Sequence, residues 1–304
     1  MATIGFVVHT QREGARLLAK DTTEWLEEQG HTAVILPSDG PDGPDGPGAA
    51  ISGVSQPGGG GQRGWSLLSR EKLDLAVSLG GDGTMLRTVD LVCGRAVPVL
   101  GVNLGHLGYL TVVEPSGLRS ALSRFLSGDY RVEARMTLDI SVTGSDDGSG
   151  GAPPTVNRSA LNDVVVQRRA VGHTMHADVA VNDIPFLSFA SDSLILATPT
   201  GSTAYNLSAR GPIVSPHARV SILTPVAPHM LFDRSLVLDA DEAVAITVVG
   251  DHPADLVVDG WLAATVAPGQ TVHCREGARD ALLVTFRERD FHRILKSKFN
   301  LKDR

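Results

Sequence analysis

The hydrophobic pattern changes period several times along the chain. Ile4-Gly5-Phe6-Val7-Val8 is a short apolar run that predicts a strand. Ala15, Leu18, Ala19, Thr22, Trp25 and Leu26 then recur at helical spacing and predict a helix over Glu13–Gln29, with Gly30 as its stop. Thr32–Leu36 predicts a second strand, so the chain opens as a βαβ unit, the signature of a parallel sheet covered by helices. The pattern resumes with a strand at Leu73–Leu79 and a helix over Thr84–Val92, where Met85, Leu86, Val89 and Val92 share one side. A strand at Val97–Val102 and a helix at Pro115–Leu126 follow.

After Gly128 the apolar runs become short, β-branched and closely spaced. Val132–Val142, Ala160–Gln167, Ala177–Val181, Phe186–Phe189, Leu194–Ala197 and Val220–Leu223 read as strands, as do Ala243–Val249, Asp255–Val258, Thr271–Cys274 and Leu282–Phe286. They predict a largely antiparallel second domain. Asp290–Phe299 reads as a basic helix with Phe291, Ile294, Leu295 and Phe299 as its stripe. Two stretches interrupt the pattern. Asp39–Gly64, with its Gly-Pro-Asp repeats and the run Gly58–Gly61, reads as a surface loop, either a lid or a tolerated insertion. Gly144–Pro154 reads as a hairpin tip. The expected fold class is α/β plus β: a parallel-sheet α/β domain over 1–128 and a β-rich, largely antiparallel domain over 129–286.

Composition narrows this picture little. A chain of 304 residues, 42% hydrophobic and 20% charged, is an ordinary soluble two-domain length and mixture. A net charge of −7 argues against general nucleic-acid binding. Cys93 and Cys274 form no CxxC pair, which argues against zinc or a disulfide framework, and both read as small buried hydrophobes. No run reaches the roughly 18 apolar residues of a membrane span, and the first residues lack a signal peptide's charged start. A cytoplasmic protein with no membrane partner is expected.

Four clusters carry candidate chemistry. Gly80-Gly81-Asp82-Gly83-Thr84 follows a strand and opens a helix. Glycines permit positive φ and close ligand approach, and a helix N-terminus offers free N–H groups to an anion, so the cluster reads as a phosphate cradle around one carboxylate. It is no Walker loop, and a glycine turn alone needs no ligand. Asn103–Leu110 lies just past the next strand; neighbouring parallel strands share one crevice at their carboxyl ends, so both loops should face one ligand. Tyr109 is either a base-stacking ring or a core aromatic. Asn162-Asp163 opens an apolar strand and either caps it in solvent or reaches sugar hydroxyls. Thr198-Pro199-Thr200-Gly201-Ser202-Thr203-Ala204-Tyr205-Asn206-Leu207-Ser208 runs from a strand into a helix; Thr200, Ser202 and Thr203 are N-cap candidates, and their surplus over one cap favours ligand binding. His173 and His176 have a metal-like spacing, but on strand and loop rather than helix, which argues against ligation.

Taken together, in this order and spacing, these clusters resemble NAD kinases from about Leu73 to the end. The pentapeptide alone is shared with lipid kinases and phosphofructokinases, whereas Thr-Pro-Thr-Gly-Ser-Thr-Ala-Tyr is far more specific. The resemblance implies a Rossmann-like first domain and a β-rich second domain, with the last helix, 287–304, returning to the first. It implies transfer of the γ-phosphoryl of ATP, or of polyphosphate, to the 2′-hydroxyl of NAD's adenosine ribose. Mg2+ or another divalent metal would accompany ATP. Asp82 would be the proton acceptor, and Gly81, Gly83 and Thr84 would hold phosphates, with Arg87 as a further phosphate contact or a solvated surface arginine. Tyr109 would meet the adenine end, and Asn162 and Asp163 the ribose hydroxyls, with His173 near the same ligand. Asp192, Thr203, Ala204, Tyr205, Asn206, Leu207 and Ser208 would complete the pocket. A homodimer or homotetramer is implied. Departures from the family pattern fall at Asp163 for Glu, Ser193 for Gly, Ala190 for Arg, Arg210 for a small residue and Trp261 for Gln. The changes at Ala190, Ser193 and Arg210 leave a non-catalytic NAD(H)-binding paralogue as an alternative; a lipid kinase of the same superfamily, which calls for an apolar acceptor groove, is the other.

Overall fold

The computed structural model describes residues 1–9, 12–36, 72–92, 94–105, 108–144, 156–287 and 290–301. The segment 39–64, nearly all of 144–154, Cys93 and His106 lie outside these. The described chain forms two compact units, 1–134 with 281–304, and 135–280.

The first unit is built on one six-stranded sheet. Its strands are β1 (Thr3–Val8), β2 (Thr32–Leu36), β3 (Leu75–Gly80), β4 (Val99–Asn103), β5 (Arg131–Arg135) and β18 (Ala281–Thr285), in the order β2-β1-β3-β4-β18-β5. The pairs β1–β2, β1–β3, β3–β4 and β18–β4 are parallel. Strand β18 was expected in the second domain; a partner strand far away in sequence is invisible to periodicity. Helices α1 (Glu13–Glu28), α2 (Asp82–Val92) and α3 (Leu118–Leu126) complete the layers. Ala15, Ala19 and Leu26 of α1 pack in one core with Phe6, Leu79, Leu100 and Leu122. Helix α1 ends as expected at Gly30, whose φ of +79° suits glycine. The Gly30 N–H bonds Glu27 O and the His31 N–H bonds Leu26 O, a Schellman closure.

Chain order reverses at the carboxyl ends of β1 and β3: α1 carries the chain outward to β2, and α2 carries it the other way to β4. Open parallel sheets bind ligands at such a switch point. The 80–84 segment stands there.

The second unit is a sandwich of two six-stranded sheets. One holds β6 (Leu138–Thr143), β7 (Val156–Ala160), β9 (Met175–Val181), β10 (Ile184–Ser191), β14 (Val244–Val249) and β17 (Thr271–Glu276). The other holds β8 (Asp163–Arg168), β11 (Ser193–Ala197), β12 (Val220–Val226), β13 (Leu236–Asp239), β15 (Ala254–Val258) and β16 (Trp261–Val266). The sequence pattern missed β13 and β16, both sheet edges whose exposed Val237 and Leu262 blur the alternation. It also joined β5 and β6 in one run, Val132–Val142, missed β7, and carried β8 back to Ala160. The chain instead breaks at Leu161-Asn162 and crosses from one sheet to the other. Ile140, Val142, Val164, Val166, Leu194, Leu196, Val244 and Ile246 fill the shared core. Val165, Ile195 and Ala197 face the opposite way and are covered by Ala209 and Val214. Burial on both faces explains why β8 and β11 read as unbroken apolar runs. Cys274 is buried, and burial pushes its thiol up to about 12.

Candidate active site

In the first unit, β3 ends at Gly80 and α2 begins at Asp82, two residues earlier than its apolar stripe predicts. Asp82 therefore sits in the first turn of the helix, where a negative side chain suits the helix dipole. A side chain at Gly80 would place its Cβ 2.1 Å from Thr84 Oγ1, so glycine lets the helix fold tightly onto the strand end. Gly80, Gly81 and Gly83 do not take positive φ, contrary to the reading of a glycine turn. At Gly81 and Gly83 a Cβ would meet nothing within 4 Å. The fold leaves that backbone bare to approach.

The Asp82 carboxylate accepts from the Tyr109 N–H at 2.8 Å and the Leu110 N–H at 3.0 Å. A Cβ at Gly108 would fall 2.2 Å from Asp82 Oδ1. The loop after β4 thus closes over the carboxylate, and the Leu104 N–H bonds Gly80 O at 2.9 Å to bring the two strand ends together. These two donors take up part of what a carboxylate can accept, about four bonds. The Tyr109 ring is half-buried and carries Lys298 Nζ of the last helix, α5 (Phe291–Lys298), 5.0 Å from its centroid. Burial and then the Asp82 charge raise the Tyr109 hydroxyl's pKa. Thr84 and Arg87 are half-buried on α2. Lys298 was not foreseen as a neighbour of Tyr109; only the return of the chain end to this unit brings them together.

In the second unit, the Leu161-Asn162 corner is gripped from two sides. Asp259 accepts from the N–H groups of Leu161, Asn162 and Asp163 at 2.8, 2.7 and 3.1 Å. On the carbonyl side, the Thr198 N–H bonds Asn162 O at 2.8 Å and Thr198 Oγ1 donates to Leu161 O at 2.6 Å. Asp163 is 5% exposed. Burial, and then the Asp259 charge, raise its pKa to about 7, against a hydrogen bond from the Tyr205 N–H that lowers it.

That shift has a stability consequence. Between the unfolded value near 4 and the folded value of about 7, the native carboxyl keeps a proton that the unfolded chain has lost. The stabilisation is complete below about 4 and is lost as pH rises through about 7. Asp163→Asn is expected to raise ligand-free stability at pH 8 by roughly 2 kcal/mol, with much less gain at pH 4. Urea unfolding of both proteins at the two pH values checks this.

The 198–208 segment departs from expectation. It forms a 3-10 turn, Gly201–Thr203, and a short helix, α4 (Tyr205–Ser208). Thr200, Ser202 and Thr203 make no side-chain cap; the residue that caps is Thr198, whose Oγ1 accepts from the Gly201 N–H at 3.1 Å. Ser202 Oγ donates to Pro199 O at 2.7 Å, and Thr203 Oγ1 bonds Thr200 O at 3.3 Å. These hydroxyls satisfy a tightly folded segment, so their number is no measure of ligand contacts. Asn206 is fully buried, its amide bonded to Ser202 O, Pro212 O and Thr224 Oγ1. Tyr205 and Ser208 are exposed, and Thr203, Ala204, Leu207 and Asn162 half-buried. Arg135, 5% exposed and not anticipated, donates to Thr200 Oγ1 at 3.3 Å.

Asp192 and His173 are not brought to this cluster. Asp163 and Arg168 are opposite ends of β8, about 17 Å of strand apart. Asp192 pairs with Arg168 at 2.9 Å, at the far end. The β9–β10 register puts Met175 opposite Ser191, which carries His173 to that end too, where its ring lies 4.2 Å from His252.

Residues 65–130 match the ATP-NAD kinase N-terminal domain family and residues 161–286 the ATP-NAD kinase C-terminal domain family. The NAD kinase of Heliobacterium modesticaldum is 44% identical over 75% of this chain and 78% of its own. That of Moorella thermoacetica is 32% identical over 98% of this chain and 89% of its own. Two solved structures share the fold at 22% identity. One is a yeast NADH kinase complexed with NADH, with a TM-score of 0.83 over 100% of this chain and 89% of that one. The other is an NAD kinase from Archaeoglobus fulgidus in complex with ATP, with a TM-score of 0.67 over 98% of each. With both family domains matched and relatives this similar, the chain belongs to the NAD kinase family.

Proposed function

We propose that this NAD kinase transfers the γ-phosphoryl group of ATP to the 2′-hydroxyl of the adenosine ribose of NAD, giving NADP and ADP. The observation that carries this reading is Asp82: a carboxylate held by two N–H groups at the carboxyl end of β3, beside the bare backbone of Gly81 and Gly83. Asp82 accepts the hydroxyl proton as the ribose oxygen bonds to phosphorus and the bond to the ADP oxygen breaks. The bare backbone of Gly81 and Gly83, the N-terminal turn of α2, Thr84 and Arg87 meet phosphate oxygens. Tyr109 meets the adenine end. Asn162 and Asp163 accept or donate at the ribose hydroxyls, and Thr203, Ala204, Tyr205, Leu207 and Ser208 line the nucleotide, with Asn206 shaping their turn from inside. Most of the rate enhancement is positioning and charge neutralisation.

The divalent cation, Mg2+ or a substitute, enters with the triphosphate. Phosphate oxygens and water would be its chief ligands. When bound, it would supply charge neutralisation on the transferring group. Asp192 and His173 stand too far along the sandwich to serve Asn162 and Asp163 of the same chain. A homodimer or homotetramer, in which they serve another copy's nucleotide, fits their placement. Polyphosphate is a second donor to be tried. Action in the cytoplasm, without a nucleic-acid or membrane partner, belongs to the same proposal.

The test is to mix purified protein, Mg2+, NAD and either ATP or polyphosphate, and to follow NADP with a coupled dehydrogenase. NADP formation with ATP is expected. Binding of NAD without NADP from either donor would overturn the reading in favour of a non-catalytic binder.

A further inference from the structure

The carboxylate of Asp259 gathers three consecutive backbone N–H groups, those of Leu161, Asn162 and Asp163. Its own N–H returns a bond to Asp163 O at 3.0 Å. No ligand contact has been assigned to it, and its place is on a different hairpin. Val258 pairs with Trp261, leaving Asp259-Gly260 as a two-residue turn, and both take positive φ, 49° and 87°. This is the type I′ geometry that favours Asn-Gly and Asp-Gly. A turn of this type needs no side-chain acceptor. Asn would serve it at least as well, so the turn does not account for a carboxylate.

What does account for it is the corner opposite. A peptide corner between two sheets has its N–H groups unpaired unless something accepts them. Here one charged acceptor takes three, and charge-assisted bonds are about twice as strong as neutral ones. The carbonyls of the same corner are held by Thr198. With both edges of the backbone fixed, the direction in which each of the side chains of Asn162 and Asp163 leaves it is fixed too. After burial, the charge at 259 also acts on the ionisation of Asp163 and raises its pKa.

We infer that Asp259 is a positioning residue for the NAD site: it holds the Leu161–Asp163 corner so that Asn162 and Asp163 are aimed at the acceptor ribose. This rests on the proposed role of those two residues.

Asp259→Asn is the discriminating variant, because Asn-Gly preserves the turn. Its amide oxygen can still accept from Asn162 and Asp163, but its amide nitrogen faces the Leu161 N–H, donor to donor. The expected result is a KM for NAD raised about tenfold or more, with kcat and the KM for ATP within about threefold. The acidic limb of the kcat/KM profile for NAD should move to lower pH, since Asp163 loses its negative neighbour. Thermal unfolding should shift little, and Asp259→Glu, which keeps the charge, should recover part of the NAD affinity. An unchanged KM for NAD in Asp259→Asn would overturn the inference. So would a parallel loss of kcat, both affinities and stability, the mark of a purely structural residue. Should the variant not fold, NAD titration of Asp259→Glu decides instead: weakened NAD binding with normal ATP binding supports positioning, and normal binding of both opposes it. Wild-type protein that makes no NADP would instead defeat the functional reading itself.

Discussion

Asp82→Asn is expected to lower kcat at least 100-fold, in line with the roughly 10²–10⁴-fold that general-base assistance supplies. The substitution removes the proton acceptor but not the loop. The amide oxygen still accepts from one of the two N–H groups that Asp82 binds, Tyr109 or Leu110, while the amide nitrogen turns a donor on the other. One lost hydrogen bond is worth about 1 kcal/mol. The KM for NAD should therefore rise by less than about tenfold while kcat collapses. Steady-state kinetics with NAD varied at saturating ATP separates the two. A kcat within tenfold of wild type would remove Asp82 from the role of base.

Gly201→Ala is expected to carry the largest structural penalty. Its Cβ would lie 1.9 Å from Asn162 O and 2.4 Å from Asn162 C. These are backbone atoms of the corner that Thr198 and Asp259 hold, so they cannot step aside as a flexible side chain would. A loss of about 3 kcal/mol or more follows, at the upper end for overpacking. Whatever folds should bind NAD weakly, because the corner aims Asn162 and Asp163. Urea unfolding and an NAD titration test both statements. Gly83→Ala is the counterpart: it lies inside α2, its Cβ would meet nothing within 4 Å, and helix propensity favours alanine by about 1 kcal/mol. Stability should hold or rise. A fall in activity in that variant would show that the glycine is kept for the ligand.

These contrasts show what was legible in the sequence. The βαβ opening, the Gly30 stop and the strand-to-helix passage at Gly80–Thr84 follow from local periodicity, and the structure has all three. The two sheets of the second unit were legible only as a texture of short strands. Their edges β13 and β16, and the break between β7 and β8, depend on which strands pair, a long-range property. The site divides the same way. Asp82 announced itself because a carboxylate among glycines at a helix start is unusual. Asp259 did not: Asp-Gly between strands reads as an ordinary hairpin turn, and its three partners lie about a hundred residues earlier. The hydroxyls of 198–203 misled in the opposite direction, since internal bonds absorb them.

The central claim is that phosphoryl passes from ATP to the 2′-hydroxyl of NAD through a site in which Asp82 takes the proton. Its most direct test is ATP labelled in the γ-phosphate, incubated with Mg2+, NAD and either wild-type or Asp82→Asn protein, in the presence of lipid vesicles as a competing acceptor. The account predicts label in the 2′-phosphate of NADP with wild-type protein, at least 100-fold slower with Asp82→Asn, and none in lipid. Label in the lipid fraction, or no labelled NADP from a protein that still binds NAD, would contradict it.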